Sequence, residues 1–303
     1  MFLATIGLVS LAASTLGADI PMKSSALPAD LRQNLILYYD FDTEPFAGQI
    51  ADKSAHRNDG VVVNVQFVKN GHQGGAANFG LNKSYITVPN KDELNPPLLT
   101  LAAWIKTSYS DWVWRRIFDK GTGKGYDLTM GGDDKGNPKW RGHVGLEAGP
   151  TWAGSGQPVT DGQWHHVVGT FDGVESRIYV DARLVGKPQM WNNHLPSTPY
   201  NLTIGANRSN PNAALGEVDA SFNGMMDDMM MFNRALSADE VQALFKSQGG
   251  VPATQPAQPP RPTGTQSKPG AADRLKQVKQ LFEQGLINKE DYDRKVKEIM
   301  DSI

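Results

Sequence analysis

The chain has 303 residues, a formal charge of -2, 39% hydrophobic residues and no cysteine. The near-neutral charge gives no long-range reason to expect a nucleic-acid or anionic-membrane partner. Without cysteine there are no disulfides, no thiolate metal site and no thiol nucleophile, and the length suits one large β-domain with an appendage.

Phe2 to Ala18 is an uncharged apolar run that ends in Ala12-Ala13-Ser14-Thr15-Leu16-Gly17-Ala18, a small-residue pattern that a signal peptidase reads. Residues 1–18 are therefore expected to be a cleaved export signal. The protein would then be secreted, periplasmic or at the cell surface, and membrane-attached only if the signal stays uncleaved. Export without disulfides leaves stability to the core, with a metal ion as an auxiliary.

The first β signal is Leu35 to Phe41. Further short runs follow at Gly60 to Val63, Ala76 to Phe79, Tyr85 to Val88, Leu99 to Lys106, Arg116 to Asp119, Tyr126 to Met130 and His143 to Leu146, then Leu202 to Gly205 and Met225 to Phe232. Between them lie Gly, Asn, Asp and Pro. Regular short strands with no long amphipathic helix predict an all-β sandwich of antiparallel sheets. At its centre, Trp164 to Phe171 and Glu175 to Asp181 flank Asp172-Gly173-Val174, where Asp-Gly suits the positive φ of a tight hairpin. Strand alternation sends His165 and His166 to opposite faces, so they cannot share one metal. A closing helix is predicted from Ser237, whose hydroxyl forms a capping box with Glu240.

A family resemblance rests on Tyr39-Asp40-Phe41-Asp42, Asn58-Asp59-Gly60, Ala102-Ala103-Trp104-Ile105-Lys106, Trp164 to Gly173, Tyr179-Val180-Asp181, Leu202 to Gly205, Phe222 to Asp228 and Phe232 to Ser237. In order and spacing, residues 31–248 resemble the laminin-G-like, concanavalin A-like lectin/glucanase domains. The resemblance implies a jelly-roll sandwich with a concave face, and binding more often than catalysis. It also implies a structural Ca²⁺ tying the first strand and its following loop to the last strand. The matching positions are Asp42, Asp52, Asn58 and Asp227, all hard oxygen ligands. Asp227 stands in a Met-rich strand, where a carboxylate needs an ion or donors.

From Gly249 to Gly270 six prolines punctuate a stretch of Gln, Thr, Gly and Ala, so residues 249–270 are expected to be an extended linker. Residues 271–303 follow with apolar positions at helical spacing, Gly285 between two helices, and Asn288 with Asp291 as a capping pair. Arg274 to Tyr292 resembles the SHOCT module, a short helical hairpin. So small a unit is expected to dock or to form a homo-oligomer.

Glu217-Val218-Asp219 begins like the Glu-x-Asp-x-Glu strand of glucanases on this fold, but Ser221 and Phe222 stand where the second Glu would be. No catalytic residue is therefore assigned. Trp104 and Trp164 read as core. Trp112, Trp114, Trp152 and Trp191 stand among loop formers and are the candidate ligand-binding residues, since exposed indoles suit sugar or protein surfaces. The expected function is an exported, non-catalytic binding protein for carbohydrate or an extracellular or envelope protein. The competing readings are a glycoside hydrolase with an unrecognised catalytic pair and a structural adhesion or envelope-assembly protein.

Overall fold

The computed structural model describes residues 27–80, 83–121, 123–133, 136–207, 218–251, 275, 278–279 and 289–300. The leader, nearly all of the linker, Glu217 and the turn of the C-terminal hairpin lie outside the described residues. The chain divides into two compact units, Met1–Pro252 and Ala253–Ile303.

Among its described residues the first unit holds sixteen strands. In chain order they are β1 (Leu35–Tyr39), β2 (Gln49–Ile50), β3 (Gly60–Val63), β4 (Gln66–Val68), β5 (Ala76–Phe79) and β6 (Tyr85–Val88). Next come β7 (Leu99–Lys106), β8 (Arg115–Asp119), β9 (Tyr126–Met130), β10 (His143–Ala148) and β11 (Thr151–Pro158). The series closes with β12 (Trp164–Phe171), β13 (Glu175–Val180), β14 (Arg183–Met190), β15 (Leu202–Ile204) and β16 (Gly224–Phe232). Sheet A runs β14-β13-β12-β7-β16-β5-β4, with β1 paired to the second half of β16. Sheet B runs β11-β10-β9-β8-β15-β6-β3-β2, and every pairing is antiparallel.

Two layers of apolar side chains explain the sandwich. Leu101, Ala103 and Ile105 of β7, Val167 of β12 and Met226, Met229 and Met231 of β16 meet Phe118, Leu128, Leu146 and Ile204 of sheet B between the sheets. The alternate residues Ala102, Val168 and Met230 face the other way, into a second apolar layer with Leu244 and Val241. Those two belong to α2 (Ala238–Ser247), which follows a short α1 (Ala29–Arg32) in chain order. The predicted capping box is present: Glu240 N donates to Ser237 Oγ at 3.3 Å, and Ser237 N to the Glu240 carboxylate at 2.8 Å. The methionines thus fill gaps on both faces of one buried strand.

The central hairpin forms with a different turn chemistry. Only Gly173 takes a positive φ, of 86°. Asp172 instead uses its carboxylate, accepting from Val174 N and Glu175 N at 2.9 Å each. A three-residue loop has amides that an Asx side chain can satisfy, so two left-handed residues are not needed. Those occur in the next hairpin, at Asp181 and Ala182 with φ 50° and 61°. Alternation separates the histidines as expected. His166 is fully buried beneath α2, while His165 at the strand end bonds Asp181 at 2.8 Å and Asp161 at 3.1 Å.

Four strands depart from the sequence reading: the short β2 and β4, and the longer β11 and β14. β14 is exposed along most of its length, so it carries no alternation to read. β11 looks like a loop because of its glycines, and it contains Trp152.

In the second unit α3 (Lys289–Met300) is described, with Ile299 buried and Lys289 paired to Asp293 at 2.5 Å. Of the preceding helix only Leu275, Val278 and Lys279 are described as helical. Among the described residues no helix is long and apolar enough to cross a membrane.

Candidate functional site

The outer face of sheet B carries a polar row that follows from strand register. Val61 pairs with Thr87, Thr87 with Thr203, and Thr203 with Asp119. Asp119 then pairs with Asp127, Asp127 with Glu147, and Glu147 with Trp152. Their neighbours Ile86, Ile204, Phe118, Leu128 and Leu146 lie in the core, so alternation turns the whole row outward. Three carboxylates on adjacent strands therefore share one face.

Their charge is managed locally. Arg116 Nε stands 3.5 Å from Asp127, and Arg116 Nη1 donates to Thr129 Oγ1 at 2.8 Å and to Trp114 O at 2.9 Å. Glu147 accepts from Gly123 N at 2.6 Å. Burial holds the Glu147 carboxyl above its ordinary pKa, against the opposing pull of Arg116 and the Gly123 amide. Asp119, Asp127 and Thr203 are fully or almost fully buried, whereas Glu147 and Trp152 are half-buried at the accessible end. On this face Thr203 Oγ1 and Trp152 Nε1 are buried with no hydrogen-bond partner among the described residues. Buried polar groups are ordinarily satisfied by protein, water or ligand.

Trp152 lies over the glycines of its own strand and the next. A Cβ on Gly145 or on Gly154 would collide with the indole, so both positions make a seat for it. Trp114 and Trp140 meet it edge to face, with ring centroids 5.1 and 4.8 Å away. Trp114 is fixed by its Nε1 donating to Asp133 O at 2.9 Å. Of the four candidate tryptophans, the structure brings Trp114 and Trp152 together. Trp112 is 68% exposed near the same end of β8. Trp191 lies elsewhere, stacked on Phe171 at 5.6 Å and packed against the core. Sequence reasoning missed Trp140, Arg116 and the three carboxylates. An Asp in the apolar run Tyr126-Asp127-Leu128 was the one signal available.

The four candidate metal positions fall into two groups. Asp52 accepts from Tyr38 N, Ser54 N, Ser54 Oγ and Asn58 N at 2.6–2.9 Å, and Asn58 donates to Ile36 O at 2.7 Å. That pair organises its own loop, and four donors leave Asp52 little capacity for a cation. Asp42 and Asp227 instead clasp the 71–75 loop: Asp42 accepts from Gly75 N at 2.7 Å, and Asp227 from Gln73 N at 3.1 Å. A Cβ on Gly71 would come within 2.8 Å of Asp227 Oδ2, and one on Gly74 would strike Asp42 Oδ1. The Gly75 carbonyl crowds Gly71, and the Phe41 carbonyl crowds Gly75. This donor set is all hard oxygen. Among the described residues no three His, Cys, Asp or Glu side chains form a metal-holding group, so any cation here would depend on main-chain carbonyls.

The family model described as the concanavalin A-like lectin/glucanases superfamily matches residues 80–242, more than half of the chain. The chain belongs to this superfamily. No curated protein matches it. Solved structures similar to it include the binding domain of Paraclostridial Mosquitocidal Protein 1, at 15% identity and TM-score 0.56 over 72% of this chain and 53% of that one. A second is domain 4 of AbnA, a GH43 extracellular arabinanase from Geobacillus stearothermophilus in complex with arabinotriose. It matches at 18% identity and TM-score 0.52, covering 70% of this chain and 98% of that domain. A third is the botulinum neurotoxin serotype D binding domain, at 13% and 0.52, covering 72% and 53%. The chain thus spans about half the length of the toxin domains. Two of these neighbours of the superfamily member are binding domains and the third is in complex with arabinotriose, and at such identities the likeness establishes the fold alone.

Proposed function

We propose that the sandwich is an exported, non-catalytic carbohydrate-binding domain that holds a neutral saccharide on the outer face of sheet B. The observation that carries this reading is the accessible end of the polar row, where the half-buried Glu147 carboxyl sits in register beside the seated indole of Trp152. An indole offers an apolar face to sugar C–H groups, and a carboxyl can accept from paired hydroxyls. Three carboxylates disfavour an anionic sugar at this face.

Isothermal titration of the full chain with neutral oligosaccharides, arabinotriose among them, tests the proposal. Trp152→Ala is expected to weaken binding at least tenfold and Trp191→Ala to leave it intact. Equal affinity in Trp152→Ala, or no neutral sugar bound by the native chain, would sink it. Hydrolysis is the second reading, because Asp127 and Glu147 are cross-strand neighbours and the Glu147 carboxyl is held high. Retaining chemistry, however, needs a second carboxylate free to attack, and Asp127 is buried beside Arg116. A reducing-sugar assay on the bound oligosaccharide separates the two.

Asp42 and Asp227, with main-chain carbonyls of the 71–75 loop, are the residues that would hold a structural Ca²⁺. Such an ion would tie the end of β1 to the middle of β16. Thermal melts in excess calcium are expected to run several degrees above those in chelator, and the difference should vanish in Asp227→Asn. Coincident melts of the native chain would remove the site.

A further inference from the structure

We propose that the protein carries a second ligand site, on the outer face of sheet A, that takes the carboxylate of an acidic sugar. Register defines this site as it does the first. Gln66 pairs with Asn78, Asn78 with Met225, Met225 with Lys106, and Lys106 with Trp164, a row crossing five strands. The next row contains Trp104 and His166, and it is covered by Phe245 of α2. Beyond the helix the residues of the row are half-buried or exposed. There Asn78, Lys106, Thr107, Ser108, Tyr109 and Asn223 line a cleft of about 380 Å³, within the size range of small-ligand sites.

The chemistry of the lining points to an oxyanion. Among the described residues Lys106 is the only charged group lining the cleft, and it has no ion pair or hydrogen bond with any of them. The side-chain amides of Asn78 and Asn223 and the Ser108 hydroxyl likewise have no protein partner among the described residues. The neighbouring acids are already engaged: Asp111 with Arg115 at 2.5 Å, and Asp161 with His165 at 3.1 Å. An uncompensated ammonium flanked by amide and hydroxyl donors matches a carboxylate and the hydroxyls beside it. The Met225 side chain supplies apolar surface for the sugar ring. The two faces thus have opposite preferences, acids on sheet B repelling the ligand that Lys106 on sheet A attracts.

Titration of the full chain with tri-galacturonate and with its fully methyl-esterified form tests the site. The acid is expected to bind, the ester at least tenfold more weakly, and raising the salt from 50 to 500 mM to weaken the acid alone. Lys106→Gln should reduce acid binding at least tenfold, whereas Trp152→Ala should leave it unchanged, which separates this site from that on sheet B. Should Lys106→Gln misfold by its melting curve, Asn78→Asp, placing a carboxylate in the cleft, must give the same loss. No binding of the acid to the native chain, equal affinity for the ester, or undiminished binding in a folded Lys106→Gln variant overturns the proposal.

Discussion

Acidification from pH 7 to pH 4 is expected to cost the sandwich on the order of 3 kcal/mol through His166 alone. This imidazole is fully buried in the layer between sheet A and α2, with Trp104 at 5.1 Å and Phe245 at 5.6 Å. Burial pushes its pKa down from 6.5 to about 3, with a further push from His72 and an opposing pull from Asp181 and Gln248. The sign follows from proton counting. Below pH 6.5 the unfolded chain binds a proton that the folded chain refuses until about pH 3. The stabilisation is therefore complete above 6.5 and is lost as the pH falls through that window. His165 opposes it, because its bonds to Asp181 and Asp161 raise its pKa, a contribution present in acid and lost on the alkaline side. Denaturant midpoints at pH 7, 5.5 and 4.5 for the native chain and His166→Phe measure the difference. The variant should lose less stability on acidification, and parallel pH profiles would refute the assignment.

Arg116→Met should destabilise the fold by about 3–5 kcal/mol, the cost of removing one partner from a buried ion pair. Arg116 is 5% exposed and Asp127 is fully buried, so water cannot replace the lost donor. Thr129 Oγ1 and Trp114 O lose hydrogen bonds as well. Arg116→Lys should recover only part, because a single ammonium cannot reproduce a planar fork that reaches Asp127, Thr129 and Trp114 together. Adding Asp127→Asn to Arg116→Met should return stability by removing the stranded charge, and a double-mutant cycle in urea measures the coupling. A cost below about 1 kcal/mol for Arg116→Met would mean that the pair does not organise this face.

The strands were legible where burial is asymmetric. β7 and β12 have alternating or continuous apolar residues bounded by turn formers, and the Ser237–Glu240 box announces α2. β14 was illegible because both its faces meet solvent, and β11 because Gly154 and Gly156 read as loop while Gly154 in fact seats an indole. The four candidate tryptophans have loop-like neighbours in the sequence, a local signal. Trp152 is nonetheless on a strand, and Trp191 folds back onto the core.

The motifs of the sequence carry the family resemblance, and its alternation by itself determined the sheet class and the division of His165 from His166, because side-chain alternation along a strand has a period of two and needs no partner. Only the tertiary structure decided which polar residues share a face. Asp119, Asp127 and Glu147 stand on three separate strands, and Asn78, Lys106 and Trp164 on three others. Cross-strand register joins each set, and register depends on bulges such as those in β8 and β16 and on the packing of the whole sheet.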